Sequence, residues 1–258
     1  MSGRIPDGSA PTRAAVRDRL DRVTDPELDR SIVALEYIDA IEIDAQRVAV
    51  DLTLPTAWCS PAFAWMMAVD ARDEVESLST VEAAHITLHD HMHETEINRG
   101  VNERLSFGEA FPDADGDVAA VRAELDEKAR VARQYDAVEA LLAAGLDGES
   151  IVDLRVRDLE IDGSTDTVAV YVHDRSFAVT VPTDPIERYL EKARETGLVS
   201  EPDEPLFRTP EGDHIDAESF ALVHRRGRLA QVNMSSQGGI CDGLRAARER
   251  RAEETADG

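Results

Sequence analysis

Residues 47–61 read RVAVDLTLPTAWCSP, and this stretch decides how the first third of the chain folds. Apolar and polar residues alternate from Arg47 to Leu54, which is typical of a half-buried β-strand. Ser60 and Pro61 then stand where a helix N-cap and a first helical residue are favoured. The stretch therefore predicts a strand, a short loop and a helix, with Cys59 in the loop directly before the helix.

The segments on either side complete a small α+β domain. Thr12 precedes an amphipathic helix, and an alternating strand over residues 37–43 leads through a hairpin turn at 44–46 into the strand that begins at Arg47. A third strand is expected over residues 81–88. The order helix, strand, strand, helix, strand predicts an open-sheet α+β fold.

The second half of the chain predicts a long helix followed by another α/β region. The elements expected there are a helix over 118–144, strands over 156–161, 167–172 and 177–181, and a helix over 184–195. The domains expected from the whole sequence are a disordered tail over 1–10, an α+β domain over 11–93, a linker with a short helix over 94–117, a second α/β domain over 118–245 and a charged tail over 246–258.

Composition limits the classes of function. The chain carries 53 acidic and 28 basic residues, for a net charge of −25, and Lys128 and Lys192 are its only lysines. This predicts a folded protein with an acidic, lysine-poor surface, as expected in a high-salt cytoplasm, and it disfavours nucleic acid as a partner. Two cysteines point to a reducing compartment, and no apolar run is long enough for a membrane span. We therefore expect a halophilic cytoplasmic protein with no membrane partner.

Two motifs in residues 13–93 resemble those of a known family. Asp25-Pro26-Glu27-Leu28 follows the first helix, and Thr56-Ala57-Trp58-Cys59-Ser60-Pro61 precedes the second. In this order, and with the hairpin between them, they resemble the PaaD/SufT-like metal–sulfur cluster biosynthesis family. The chain departs from the family pattern in having Ala57-Trp58 before the cysteine, where the family has small residues, and in continuing well beyond the third strand.

The resemblance implies an accessory factor, a non-enzymatic assembly protein rather than a classical enzyme, that assembles or delivers iron–sulfur clusters or matures a metalloenzyme. The positions that match the family's motifs imply Asp25, Glu27, Thr56 and Cys59 as the site residues. The cargo would be iron or a transient iron–sulfur cluster, and the partners a client metalloenzyme or a scaffold protein. Independently of the resemblance, a cysteine at a helix start is favoured as thiolate, the form that binds metal or attacks sulfur.

Four of the seven histidines, His85, His89, His91 and His93, fall in one short stretch. On a continuous strand their odd spacing would place all four on one face, and on a helix three of them would align. With Cys59 or a nearby glutamate they could hold iron or zinc. The alternative function is thus a metal-binding subunit of an oxygenase or oxidoreductase system.

Cys241 lies between glycines, which let the backbone approach a ligand closely. It is a candidate to bind a cofactor together with Cys59. Because two cysteines cannot supply the four thiolates of a usual cluster, a bound cluster would need histidines or a homodimer.

Residues 135–230 resemble, more loosely, the catalytic domain of tyrosine recombinases around the glycine-leucine pair that begins at Gly145. Asp147 stands where that family has an arginine, and no tyrosine follows Tyr189 to serve as nucleophile. This resemblance implies a catalytically dead, DNA-associated protein as a third alternative.

Overall fold

The structure is a computed structural model that describes residues 10–114, 118–163, 165–173 and 175–256, without the side chains of 237, 238, 240–242 and 245–256. The expected tail over residues 1–10 therefore lies almost wholly outside the described residues. The chain divides into two compact units: the first contains the described residues up to Val121 and those from Ser236 onward, and the second is Arg122–Ser235. No helix in the described part is long and apolar enough to cross a membrane.

The helices and strands follow in chain order. They are α1 (Arg13–Leu20), β1 (Thr24–Asp25), β2 (Arg30–Ser31), β3 (Ile38–Asp44), β4 (Arg47–Thr53), α2 (Pro61–Glu76), β5 (Ala83–His89), α3 (Glu94–Asn102), α4 (Phe107–Ala110), α5 (Val118–Ala143), α6 (Gly148–Asp153), β6 (Leu159–Ile161), β7 (Thr167–Val172), β8 (Phe177–Pro182), α7 (Thr183–Glu195) and α8 (Phe220–Ala256). Helices and open sheets are mixed, so the expected α+β class is confirmed.

The first unit is built on a three-stranded sheet in the order β3-β4-β5. Strands β3 and β4 form the expected antiparallel hairpin, and Ala45 in its turn has a positive φ of 53°. Strand β5 runs parallel to β4, with Thr53 opposite His89 at their carboxyl ends, and helix α2 makes the crossover between them. This β4-α2-β5 unit places the loops after both strands at the same edge of the sheet.

The core of the first unit lies under one face of this sheet. Strand β4 turns Val48, Val50 and Leu52 inward, as its alternation predicts, and α2 buries Met67 and Val75 beside them. The segment 94–117, expected as a linker with a short helix, contributes to the same core: its buried apolar residues are Ile97, Val101 and Ala110. It is part of the first unit because the apolar side of α3 packs on β5.

Helix α3 also covers the outer edge of β5 with two asparagines one turn apart. The Asn98 amide accepts from the Leu88 N–H at 2.7 Å and donates to the Leu88 carbonyl at 2.9 Å. The Asn102 amide makes the same pair with Ile86, at 3.0 and 2.8 Å. The two amides thus take the place of a neighbouring strand on an edge that would otherwise expose unpaired backbone groups.

Replacing Asn98 and Asn102 by alanine together should therefore uncover this edge. We expect a loss of about 2–4 kcal/mol in the free energy of unfolding, since each change leaves a backbone donor and acceptor unpaired. Hydrogen exchange should accelerate at the Ile86 and Leu88 amides. The control is Thr95→Ala, an exposed position on the same helix. Unchanged exchange at both amides would contradict the strand-substitute role of the asparagines.

The second unit is built on an antiparallel sheet in the order β6-β7-β8, whose inner face buries Val168, Val170 and Val181. The strand expected over 156–161 is shorter, because Val156–Asp158 forms a 3₁₀ turn closed by the Arg155 N–H on the Asp158 carboxylate at 2.8 Å. The glycine-rich segment around Cys241 lies within helix α8 rather than in a loop.

Candidate functional site

The candidate site is the edge where the loops after β4 and β5 meet. Two hydrogen bonds join these loops: the Met92 N–H donates to the Ala57 carbonyl at 3.1 Å, and the His91 Nε2 lies 2.9 Å from the Cys59 carbonyl oxygen. The parallel pairing of β4 and β5 produces this meeting, because both strands end at the same level. Cys59 therefore lies on a surface built from both loops.

Thr56 gives the Cys59 loop its local shape. Its hydroxyl accepts from the Trp58 N–H at 3.2 Å, and its carbonyl accepts from the Cys59 N–H at 3.4 Å. Ser60 occupies the expected N-cap position of α2 and Pro61 the first helical position, but the Ser60 side chain makes no capping hydrogen bond. Thr56 thus positions the loop. Half-buried Cys59 precedes the N-terminus of α2, where the N-cap residue makes no side-chain capping hydrogen bond.

His91 is a clamp on the cysteine loop. It is buried, with 5% of its surface exposed. Its Nδ1 accepts from the His93 N–H at 3.1 Å, so the ring proton is on Nε2, which donates to the Cys59 carbonyl. Both ring nitrogens are therefore used inside the protein, and His91 is a positioning residue for Cys59.

Removing this clamp should loosen the loop. We expect His91→Ala to lower the free energy of unfolding by about 1–3 kcal/mol, since it leaves buried polar groups of the loop unpaired. The alkylation rate of Cys59 by iodoacetamide should change at the same time. His85→Ala is the matched control, because His85 is exposed on β5. If both variants behave like wild type in urea unfolding and alkylation, His91 does not hold the loop.

The four clustered histidines lie in different surroundings in the described structure, and their role as metal ligands stays a prediction. Strand β5 ends at His89, and Asp90 has a positive φ of 55°, which turns the chain out of the strand direction. His85 and His89 stay on the exposed face of β5, where the His89 Nε2 lies 3.2 Å from Asp51. His93 packs on Phe111. Over the described residues, no group of three or more His, Cys, Asp or Glu side chains is arranged to hold a metal.

Asp25 organises the turn of the β1-β2 hairpin. It is buried, and one carboxylate oxygen accepts from the Glu27 and Leu28 N–H groups at 2.9 and 3.2 Å while the other accepts from the Tyr37 hydroxyl at 3.2 Å. Glu27 is half-buried in the same turn. Strand β1 contacts helix α2, the helix that Cys59 precedes. That either acid lies beside the Cys59 thiol stays a prediction.

Burial raises the pKa of Asp25 above its ordinary value, and the hydrogen bonds from Glu27, Leu28 and Tyr37 oppose that shift. The folded protein therefore holds the Asp25 proton more tightly than the unfolded chain. As the pH falls from 7 to about 4, wild type should gain stability relative to Asp25→Asn, and the gain should be lost again as the pH rises through the folded pKa. Urea unfolding of both proteins across this range measures the difference, and a constant or reversed difference would contradict the raised pKa.

In the second unit, an acid stands at the position that was compared with the recombinase arginine. Asp147 caps helix α6 by accepting from the Ser150 N–H at 2.9 Å, a structural role that accounts for an acid at this position. The Cys241 side chain lies outside the described residues, so its pairing with Cys59 stays a prediction.

Sequence reasoning missed two residues at the site edge. Trp58 is 75% exposed and Met92 is 54% exposed, although both are large and apolar. The sequence offers one signal for Trp58, which stands in a position where the family resemblance has a small residue. It offers none for Met92, because the contact of the two loops depends on the parallel pairing of β4 and β5.

Comparison with known proteins finds matches to the part of the chain that contains Cys59. A family model described as "Iron-sulfur cluster assembly protein" matches residues 13–87. An uncharacterized protein of Methanocaldococcus jannaschii is 31% identical over 94 residues, which cover 36% of this chain and 97% of the relative. No solved structure matches the chain. With α1, the β3-β4 hairpin, α2 and most of β5 inside the matched residues, the chain belongs to the iron–sulfur cluster assembly protein family, which gives it a role in iron–sulfur cluster assembly in general.

Proposed function

We propose that this protein is an accessory factor that accepts iron or a preformed cluster and passes it to a scaffold protein or a client metalloenzyme. The Cys59 thiolate would be the group that binds the cargo during transfer. The observation that carries the proposal is the position of Cys59: it is half-buried, directly before helix α2, on the edge where two parallel strands end.

The local electrostatics favour a thiolate that can bind a cation. The N-terminus of a helix carries about half a positive charge. At α2 the Ser60 side chain makes no capping hydrogen bond to this terminus. Asp51 on strand β4 and exposed Glu94 at the start of α3 are acids in the same unit and attract cations such as Fe(II). The acids oppose thiolate formation but favour its complex with a metal.

The number of ligands favours transfer over storage. Within the described part of the chain, no three metal-ligating side chains gather at one place, and both nitrogens of His91 are used in the protein. Cargo held by Cys59 would take its other ligands from the donor or the acceptor protein. A single thiolate ligand is therefore better suited to passing cargo between two partner proteins than to storing it.

The test is an anaerobic transfer assay. A scaffold protein that holds a preformed two-iron, two-sulfide cluster is mixed at molar salt with an apo-ferredoxin as acceptor, with and without the full chain. Circular dichroism in the visible range follows the appearance of the holo-ferredoxin. Faster transfer in the presence of the chain supports the proposal. A rate that the chain leaves unchanged would contradict it.

A further inference from the structure

Helix α8 carries an exposed apolar stripe within the second unit. Leu222, Leu229 and Val232 are 59%, 61% and 48% exposed, and their spacing of seven and three residues places them on one side of the helix. The opposite side packs inside the unit, where Met234 lies against Ala129 and Ala132. The stripe is therefore separate from the packing that holds α8 in place.

The same side of α8 is basic. Arg225 and Arg228 are exposed, and together with the apolar stripe they fall within about one third of the helix circumference at 100° per residue. No acidic residue occurs between Phe220 and Cys241, in a chain with a net charge of −25. We call Leu222, Arg225, Arg228, Leu229 and Val232 the α8 stripe.

The first unit carries a surface of matching character. Trp58 and Met92 are the exposed apolar pair at the site edge, and their loops are joined through the Met92 N–H. Asp90 and Glu94, both exposed, flank Met92 at two residues on either side. We call these four residues the Trp58 patch. Its apolar centre and acidic rim complement the apolar and basic side chains of the α8 stripe.

We propose that the α8 stripe binds the Trp58 patch of a second copy of this chain. In the proposed dimer each copy gives its stripe and its patch, so that the same contact forms twice. Pairing stripe with stripe would bring arginines together, and pairing patch with patch would bring carboxylates together. Only the contact of stripe with patch matches both the apolar surfaces and the charges.

The dimer is tested by light scattering on the size-exclusion eluate and by sedimentation of the full chain. The experiments use molar salt, where the Debye length is about 3 Å and the repulsion between two acidic chains is screened. The expected mass is twice 28.3 kDa. Leu229→Ser/Val232→Ser and Trp58→Ser/Met92→Ser should each raise the dissociation constant by at least about tenfold. The control is Phe177→Ser, which removes a side chain of similar exposure (58%) from outside both surfaces.

A mixture of the two double variants tests which surfaces meet. Each variant keeps one intact surface, so the mixture can form one contact of stripe with patch that neither variant forms alone. We expect hetero-association in the mixture, with circular dichroism confirming that both variants are folded. A monomeric wild type, a dimer that survives both double substitutions, or a mixture that associates no more than its components would each overturn the proposal.

Discussion

Cys59→Ser should reduce transfer to apo-ferredoxin by at least about a hundredfold, because a serine hydroxyl is not ionised at neutral pH and binds iron poorly compared with a thiolate. The fold should be unaffected, since Cys59 is half-buried in a loop and serine has nearly the same size. The expected phenotype is therefore a folded protein that no longer delivers its cargo.

The control for this variant is Ser60→Ala. Ser60 is adjacent to Cys59, but its side chain makes no capping hydrogen bond, so its loss should leave transfer close to wild type. Equal unfolding midpoints for the three proteins would show that any difference in transfer is chemical. If Cys59→Ser transferred cargo as fast as wild type, the Cys59 thiolate would not be the group that binds the cargo. The family role would then have no assigned residue.

Arg130→Ala should destabilise the second unit by about 3–5 kcal/mol, the largest effect on stability expected in the chain. Arg130 is the largest side chain that is fully buried in the described residues. It forms an ion pair with Glu127, donates to the Gln134 side chain at 3.2 Å, and donates to the Thr209 and Pro210 carbonyls at 3.1 and 3.3 Å. Alanine removes all of these hydrogen bonds and the ion pair and opens a cavity.

The measurement is urea unfolding followed by circular dichroism. Arg194→Ala is the matched control, because it removes an exposed arginine from α7 of the same unit and lies outside the α8 stripe. Arg130→Lys should recover only part of the loss, since an ammonium group cannot reach all the acceptors that the planar guanidinium reaches. A difference from the control of less than about 1 kcal/mol would show that the network contributes little.

The sequence predicted the elements that periodicity and capping encode. Thr12 caps α1, β7 spans Thr167–Val172, and α5 begins at Val118, all as expected. The α+β class of the fold follows from such local signals. The Asp25-Pro26 pair predicts a turn, but the two short strands beside it are not predictable, because two residues per strand are too few for a pattern.

The site was less predictable because it depends on tertiary contacts. The spacing of the histidines is compatible with one continuous strand or one helix, but β5 ends at His89 and the positive φ of Asp90 turns the chain before His91. Both ring nitrogens of His91 are then used in hydrogen bonds within the two loops, and its role as a metal ligand stays a prediction. Likewise, no local pattern shows that Arg130 is buried, since arginine on a helix is usually exposed.

The most direct test of the central claim is protection of Cys59 by its cargo. The full chain is treated with iodoacetamide at neutral pH and molar salt, with and without prior anaerobic incubation with a scaffold protein that holds a preformed cluster, and mass spectrometry measures the alkylation of Cys59 and Cys241 separately. We expect Cys59 to react faster than Cys241 in the absence of the cluster and to become protected in its presence. Cys59 that is inert without the cluster, or equally reactive with and without it, would contradict its role as the transfer group.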